Sequence, residues 1–136
     1  MKISTKSQYG LRAMVYLSIA KKISPSKSIA REENIPSDYL EKIMAKLEKA
    51  GYIGAKKGSQ GGYFLVRKPK EIKVGDIVRT LEGEISLVKC LRKNEYFCSR
   101  QPICKVRKVW EKLKNSLNFT LNSITLDDVS KRYGKE

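Results

Sequence analysis

Apolar side chains recur along the first fifty residues at the three- and four-residue spacing of amphipathic helices. Tyr9, Ala13, Tyr16, Leu17 and Ala20 form one stripe, and Thr5 with Gln8 has the spacing of a capping box. This predicts a helix from about Thr5 to Lys21. Ser24-Pro25 reads as an N-cap followed by Pro at the first position of a short helix reaching about Glu33. Asn34-Ile35-Pro36 makes a turn. Leu40, Ile43, Met44 and Leu47 then share one face of a third helix, Ser37 to Ala50, which Gly51 ends. Alternation replaces the helical period in Ile53–Lys57 and Tyr63–Arg67. These are two short strands joined by Gly58-Ser59-Gln60-Gly61-Gly62, a hairpin closed by Pro69.

Farther on, Lys73–Leu81 reads as a helix ended by Gly83. Cys90 to Cys104 lacks periodicity, contains Pro102 and reads mostly as loop. A long helix from about Lys105 to Asn118 follows, with Val106, Val109, Trp110, Leu113 and Leu117 in register. Thr125 with Asp127 and Asp128 caps a last short helix. The expected fold class is mainly α with a small β-hairpin. Helix, short helix, turn, helix and hairpin is the layout of a winged helix-turn-helix. Three stretches result: residues 1–70 carrying the winged helix-turn-helix, 71–104 a connecting helix and cysteine loop, and 105–136 a long helix and a terminal one.

Composition narrows the function. The chain has 136 residues, 29 Lys or Arg against 14 Asp or Glu, no His and three Cys, for a net charge of +15. At 40% hydrophobic it can form a core, which excludes a basic disordered tail. So large an excess of cations on a small body points to a polyanion, most often nucleic acid. Ten of the excess charges lie in residues 1–70 and five in the remainder, which makes the N-terminal half the expected polyanion surface. Without His there is no Ser–His or Cys–His catalysis and no His-containing metal site. Neither a phosphate loop nor an obvious carboxylate pair is present, so an enzyme with a small-molecule substrate is the weakest reading. Leu11 to Ala20 is too short for a membrane span and is broken by Arg12, so no membrane association is expected and the chain reads as cytoplasmic.

At 100° per residue, the apolar face of the third helix leaves Asp38, Tyr39, Glu41 and Lys42 placed to reach base edges of double-stranded DNA. A carboxylate can accept from cytosine, and Lys can donate to guanine. Lys2, Ser4, Thr5 and Lys6 at one helix start, with Ser26 and Lys27 at the next, are candidate phosphate contacts. The hairpin adds Lys56, Lys57, Ser59, Gln60, Gly61, Gly62 and Tyr63 as a wing suited to phosphates or a minor groove.

The second chemistry is sulfur. Cys90, Cys98 and Cys104 are separated by seven and five residues, three-quarters of a ligand set for an iron–sulfur cluster or a tetrahedral zinc. Lys89, Arg92, Lys93, Arg100, Lys105 and Arg107 lie close in sequence. They should favour thiolate and offset an anionic cluster. Composition alone does not choose between the metals.

The opening Met1-Lys2-Ile3-Ser4-Thr5-Lys6 with Tyr9-Gly10, then Ile35 through Lys42, Lys57 through Tyr63, Ile77 through Gly83 and the cysteines together resemble the IscR-like family of bacterial iron–sulfur transcription regulators. The likeness covers nearly the whole chain. It implies a homodimer paired through the long C-terminal helices, each protomer offering a winged helix to one operator half-site. It also implies an iron–sulfur cluster, [2Fe-2S] or [4Fe-4S], on Cys90, Cys98 and Cys104, with Glu41 in base reading and a repressor or activator role. Arg107 stands where some members carry a His ligand, and Gln8 where others recruit an acid from the partner. The fourth ligand is therefore open among Glu95, a partner-subunit side chain, water and an exogenous small ligand. Two other readings remain: a cluster-free or zinc-bearing winged-helix regulator with thiol-redox or structural cysteines, and a protein–protein module.

Overall fold

Six α-helices and one two-stranded antiparallel sheet make up residues 2–92 and 98–133, which the computed structural model describes. α1 (Thr5–Ala20), α2 (Ser26–Glu33) and α3 (Ser37–Lys49) precede the hairpin of β1 (Ile53–Lys56) and β2 (Gly62–Leu65). α4 (Val74–Glu82), α5 (Arg107–Asn122) and α6 (Leu126–Tyr133) complete the chain. Short 3-10 turns sit at Pro69–Glu71 and Lys89–Leu91.

The order matches the expected winged helix-turn-helix with a long C-terminal helix, and the differences lie at element ends. α1 is capped by Ser4 rather than Thr5: the Ser4 hydroxyl accepts from the Ser7 N–H at 3.2 Å. The Gln8 amide reaches back instead to the Ile3 carbonyl at 2.9 Å. Ser24 does not cap α2. Its backbone pairs with Tyr63 through two bonds of 2.9 Å, so the α1–α2 connection adds a bridge to the wing, and Pro25 takes the cap position. The sheet is shorter than the alternation implied, with Ile53 opposite Leu65 and Lys56 opposite Gly62. α5 starts at Arg107 and runs four residues past Asn118, where Asn118 and Asn122 face Arg79 of α4.

One core takes side chains from all three stretches of the chain. Met14 and Leu17 of α1, Ile29 of α2, and Leu40, Ile43, Met44 and Leu47 of α3 meet Ile53, Ile72, Ile77, Leu81 and Leu126. Gly10 lets α4 close on α1: an added Cβ there would run into the Leu81 side chain and lie 3.3 Å from Ile43 Cγ2. α6 is tied in by the Lys73–Thr125 bridge, by Leu126 N–H donating to the Ile72 carbonyl at 2.8 Å, and by the Ser130–Ser18 hydroxyl contact at 2.8 Å. Its expected cap is present, with Thr125 and Asp128 exchanging backbone-to-side-chain bonds of 2.9 and 3.1 Å.

At Gly62 the φ of 153° and the adjoining Ser24 carbonyl leave no room for a side chain, and a Cβ would stand 2.7 Å from the Pro25 nitrogen. Gly62→Ala should therefore lower stability by about 2 kcal/mol, since overpacking against backbone cannot relax by a rotamer change. A denaturant titration that placed the variant level with the parent would contradict this.

Candidate nucleic-acid interface and cysteine loop

α3 buries Leu40, Ile43, Met44 and Leu47 and turns Asp38, Tyr39, Glu41, Lys42 and Lys46 outward. Its face is braced from α1. The Tyr39 ring meets Tyr9 edge-on at 5.5 Å, and the Arg12 guanidinium lies 5.0 Å from the Tyr9 ring centroid. Arg12 also donates to the Glu33 carbonyl at 2.6 Å, satisfying the end of α2. Neither brace is evident from the sequence, because Tyr9 and Arg12 lie on α1, outside the exposed face of α3. Lys46, one helical turn beyond Lys42, flanks the same outward face in the sequence pattern but is not among the expected contacts. Lys6, Tyr39, Lys42, Ile43 and Lys46 line a 170 Å³ cavity between α1 and α3, which places Lys6, Lys42 and Lys46 around one mostly apolar depression.

The remaining candidates fall into two groups. Lys2, Thr5, Lys27, Lys56, Lys57, Ser59 and Gln60 are exposed, and Ser26 is half-buried at the start of α2. Ser4, Gly61, Gly62 and Tyr63 have structural roles as well. Ser4 is the α1 cap, and Gly61 is buried in the hairpin turn, its N–H donating to the Gly58 carbonyl at 3.0 Å. Gly62 and Tyr63 carry the contact with Ser24. Burial, and then the carboxylates of Glu41 and Glu48, push the Tyr63 phenol above 10.0. The wing thus stands beside α3 with Tyr63 neutral at ordinary pH.

α4 connects this face to the cysteines. At its C-terminus, Glu82 Oε1 accepts from the Ser4 N–H at 2.6 Å. Burial alone would raise the Glu82 pKa, but hydrogen bonds from Ser4 and Ser7 and the charge of Lys6 outweigh it and hold the carboxyl below 4.5. Arg79 spans to α5, donating to Asn118 at 3.1 Å and Asn122 at 2.5 Å while paired with Asp76 at 3.2 Å. Lys114 of α5 donates to the Leu91 carbonyl at 3.1 Å and pairs with Glu84 at 2.8 Å, which fastens the turn carrying Cys90. Cys90, Cys98 and Cys104 are half-buried free thiols. Among the described residues no three Cys, Asp or Glu side chains converge as a metal site. Glu95, a candidate fourth ligand, and Lys93 lie outside the described residues. Arg107 is ion-paired with Glu111 at 2.6 Å.

A helix-turn-helix braced from α1 and followed by a glycine-turned wing defines a winged-helix DNA-binding protein. Residues 3–132 match the Rrf2 family, iron-dependent transcriptional regulators, and the chain belongs to that family. It is 37% identical over 131 residues to protein rrf2 of Nitratidesulfovibrio vulgaris, covering 95% of this chain and 87% of that one. Among solved structures, T. potens IscR is 39% identical with a TM-score of 0.76, covering 98% of this chain and 88% of its own. CymR, the global cysteine regulator of B. subtilis, is 34% identical with a TM-score of 0.79 over 97% of this chain and 98% of its own. Members are transcriptional regulators rather than enzymes. No helix among the described residues is long and apolar enough to cross a membrane.

Because the folded-state pKa of Glu82 is depressed, its contribution to stability is present above about pH 4.5 and is lost as pH falls through the lower folded value. Glu82→Gln should accordingly melt below the parent at pH 7, with the gap closing as both are taken toward pH 3. A gap independent of pH would exclude the carboxylate as its origin.

Proposed function

We propose that the chain is a homodimeric transcription regulator whose affinity for a double-stranded DNA operator is set by an iron–sulfur cluster, [2Fe-2S] or [4Fe-4S], on Cys90, Cys98 and Cys104. The observation that carries this reading is the continuous set of contacts from the thiol-bearing turn to the DNA-facing start of α1. It runs from Leu91 through Lys114 of α5, across Arg79 to α4, and from Glu82 to Ser4. The donors suit the group in chemical type, though they do not converge: Cys90, Cys98 and Cys104 are three free, half-buried thiols with basic residues close in sequence, and among the described residues a buried donor, Arg107 Nε, has no partner. When bound, such a cluster supplies an anionic centre that iron supply, oxidation or nitric oxide can alter.

The chain's own residues perform the rest. Asp38, Tyr39, Glu41 and Lys42 read bases. Lys2, Thr5, Lys6, Ser26, Lys27 and Lys46 meet phosphates, and Lys56, Lys57, Ser59 and Gln60 enter the minor groove or track the backbone. α5 holds no fully buried residue and exposes Val109 and Trp110 in line with Val106 at its N-cap, as a helix awaiting its counterpart in a second copy would. Joined through that helix, two winged domains take a separation that depends on how α4 and the cysteine loop rest on α5. Half-site spacing converts that separation into affinity.

A cluster-free regulator with redox-active thiols is the second reading. The three cysteines do not converge among the described residues, and the similarity to CymR is as extensive as that to IscR.

Two measurements test the proposal. Anaerobically prepared protein should show iron, sulfide and visible absorption, which a Cys90, Cys98 and Cys104 to Ala triple variant should lack. Operator affinity should differ between loaded and stripped protein. Equal affinities would reject the switch, and thiols without iron or sulfide would favour the second reading. Operator affinity should also fall steeply with salt. Lys56→Ala with Lys57→Ala should flatten the log–log slope by about 2, one unit for each lost phosphate contact. An unchanged slope would remove the wing from the interface.

A further inference from the structure

Arg107 opens α5 three residues after Cys104. Its Nη1 donates to Glu111 Oε1 at 2.6 Å, and the side chain is 27% exposed. Its Nε is closed off from solvent and, among the described residues, donates to nothing. A buried N–H on a charged group is among the most costly to leave without an acceptor, and native structures rarely do so. The guanidinium keeps its protons and has no lone pair to offer a metal, so Arg107 cannot stand in for a missing ligand. It is a donor that lacks its acceptor. The chemistry this segment carries in three copies is sulfur, a weak acceptor as a neutral thiol and a strong one as thiolate or cluster sulfide.

We propose that the Arg107 Nε–H is a charged hydrogen-bond donor to an anionic sulfur of the cysteine loop, either the Cys104 thiolate or a sulfide of the cluster it holds. This rests on the cluster reading above. Glu111 clamps the Nη1 end and limits rotation of the guanidinium plane, leaving the Nε edge for the sulfur. Arg107 is then a positioning residue, one that stabilises the loaded loop through a hydrogen bond to sulfur without ligating the metal.

Two near-isosteres separate the hydrogen bond from the charge. Arg107→Met places a methyl group near the Nε position, and Arg107→Gln places a neutral amide nitrogen there. Glu111→Gln breaks the ion pair and leaves the donor. Each protein is reconstituted anaerobically, its fold checked by circular dichroism, and the decay of visible absorption followed in a ferrous-iron chelator. Arg107→Met should lose its cluster about tenfold faster than the parent, the size of effect that outer-shell partners have on metal affinity. Arg107→Gln and Glu111→Gln should stay close to the parental rate. The midpoint potential of Arg107→Met should shift to more negative values, because the reduced cluster loses a donor. A parent that loads no iron or sulfide would overturn the cluster reading and this inference together. A loaded parent with Arg107→Met decaying at the same rate would overturn the inference alone. So would Arg107→Gln or Glu111→Gln decaying as fast as Arg107→Met, which would assign the effect to charge or to the ion pair.

Discussion

The contact on which the molecule depends is the seating of Leu81 against the backbone of α1 at Gly10. α1 lies at the centre of the fold, touching α2, α3, α4, α6 and the hairpin, and at Gly10 it offers α4 bare backbone. Leu81 fills that place, and with Ile77 it reaches the same core as Ile43 and Leu47 of α3. The helix that leads into the cysteine loop is therefore packed directly behind α3. Interiors at crystalline density have little compliance, so a displacement of α4 has to be taken up by neighbouring elements.

Around this apolar seat the longer-range ties are polar and partly exposed. Glu82 to Ser4, Arg79 to Asn118 and Asn122, and Lys114 to Glu84 and Leu91 each bridge elements far apart in sequence. Exposed ties of this kind contribute little to global stability. They do define geometry, and they can exchange partners without opening the core. A buried framework with adjustable polar links at its rim is what a protein needs if its halves are to shift without unfolding.

Much of this was legible in the chain because it rests on local rules. The apolar face Leu40, Ile43, Met44 and Leu47, the glycines of the wing and the cap at Thr125 follow from periodicity, φ and hydrogen bonding over a few residues. What could not be read locally depended on partners far along the chain. Ser24 looks like a helix cap until Tyr63, thirty-nine residues away, claims its backbone. Asn118 looks like the end of a helix until Arg79 of α4 gives it and Asn122 a reason to continue. Lys46, Tyr9 and Arg12 gain their meaning only when α1 is laid across α3. The cysteines are the opposite case. Their number and spacing are plain in the sequence, and the fold leaves them as three separate free thiols.

The bridge between Ser24 and Tyr63 has a consequence for how such regulators diversify. Because the connection into α2 is hydrogen-bonded to the strand leaving the wing tip, the wing is locked in angle to the two helices beside it. Ser59, Gln60 and the outer face of α3 then behave as replaceable surface on a rigid mount. If those positions read the operator as proposed, a change of target sequence demands only new side chains there, with no new backbone.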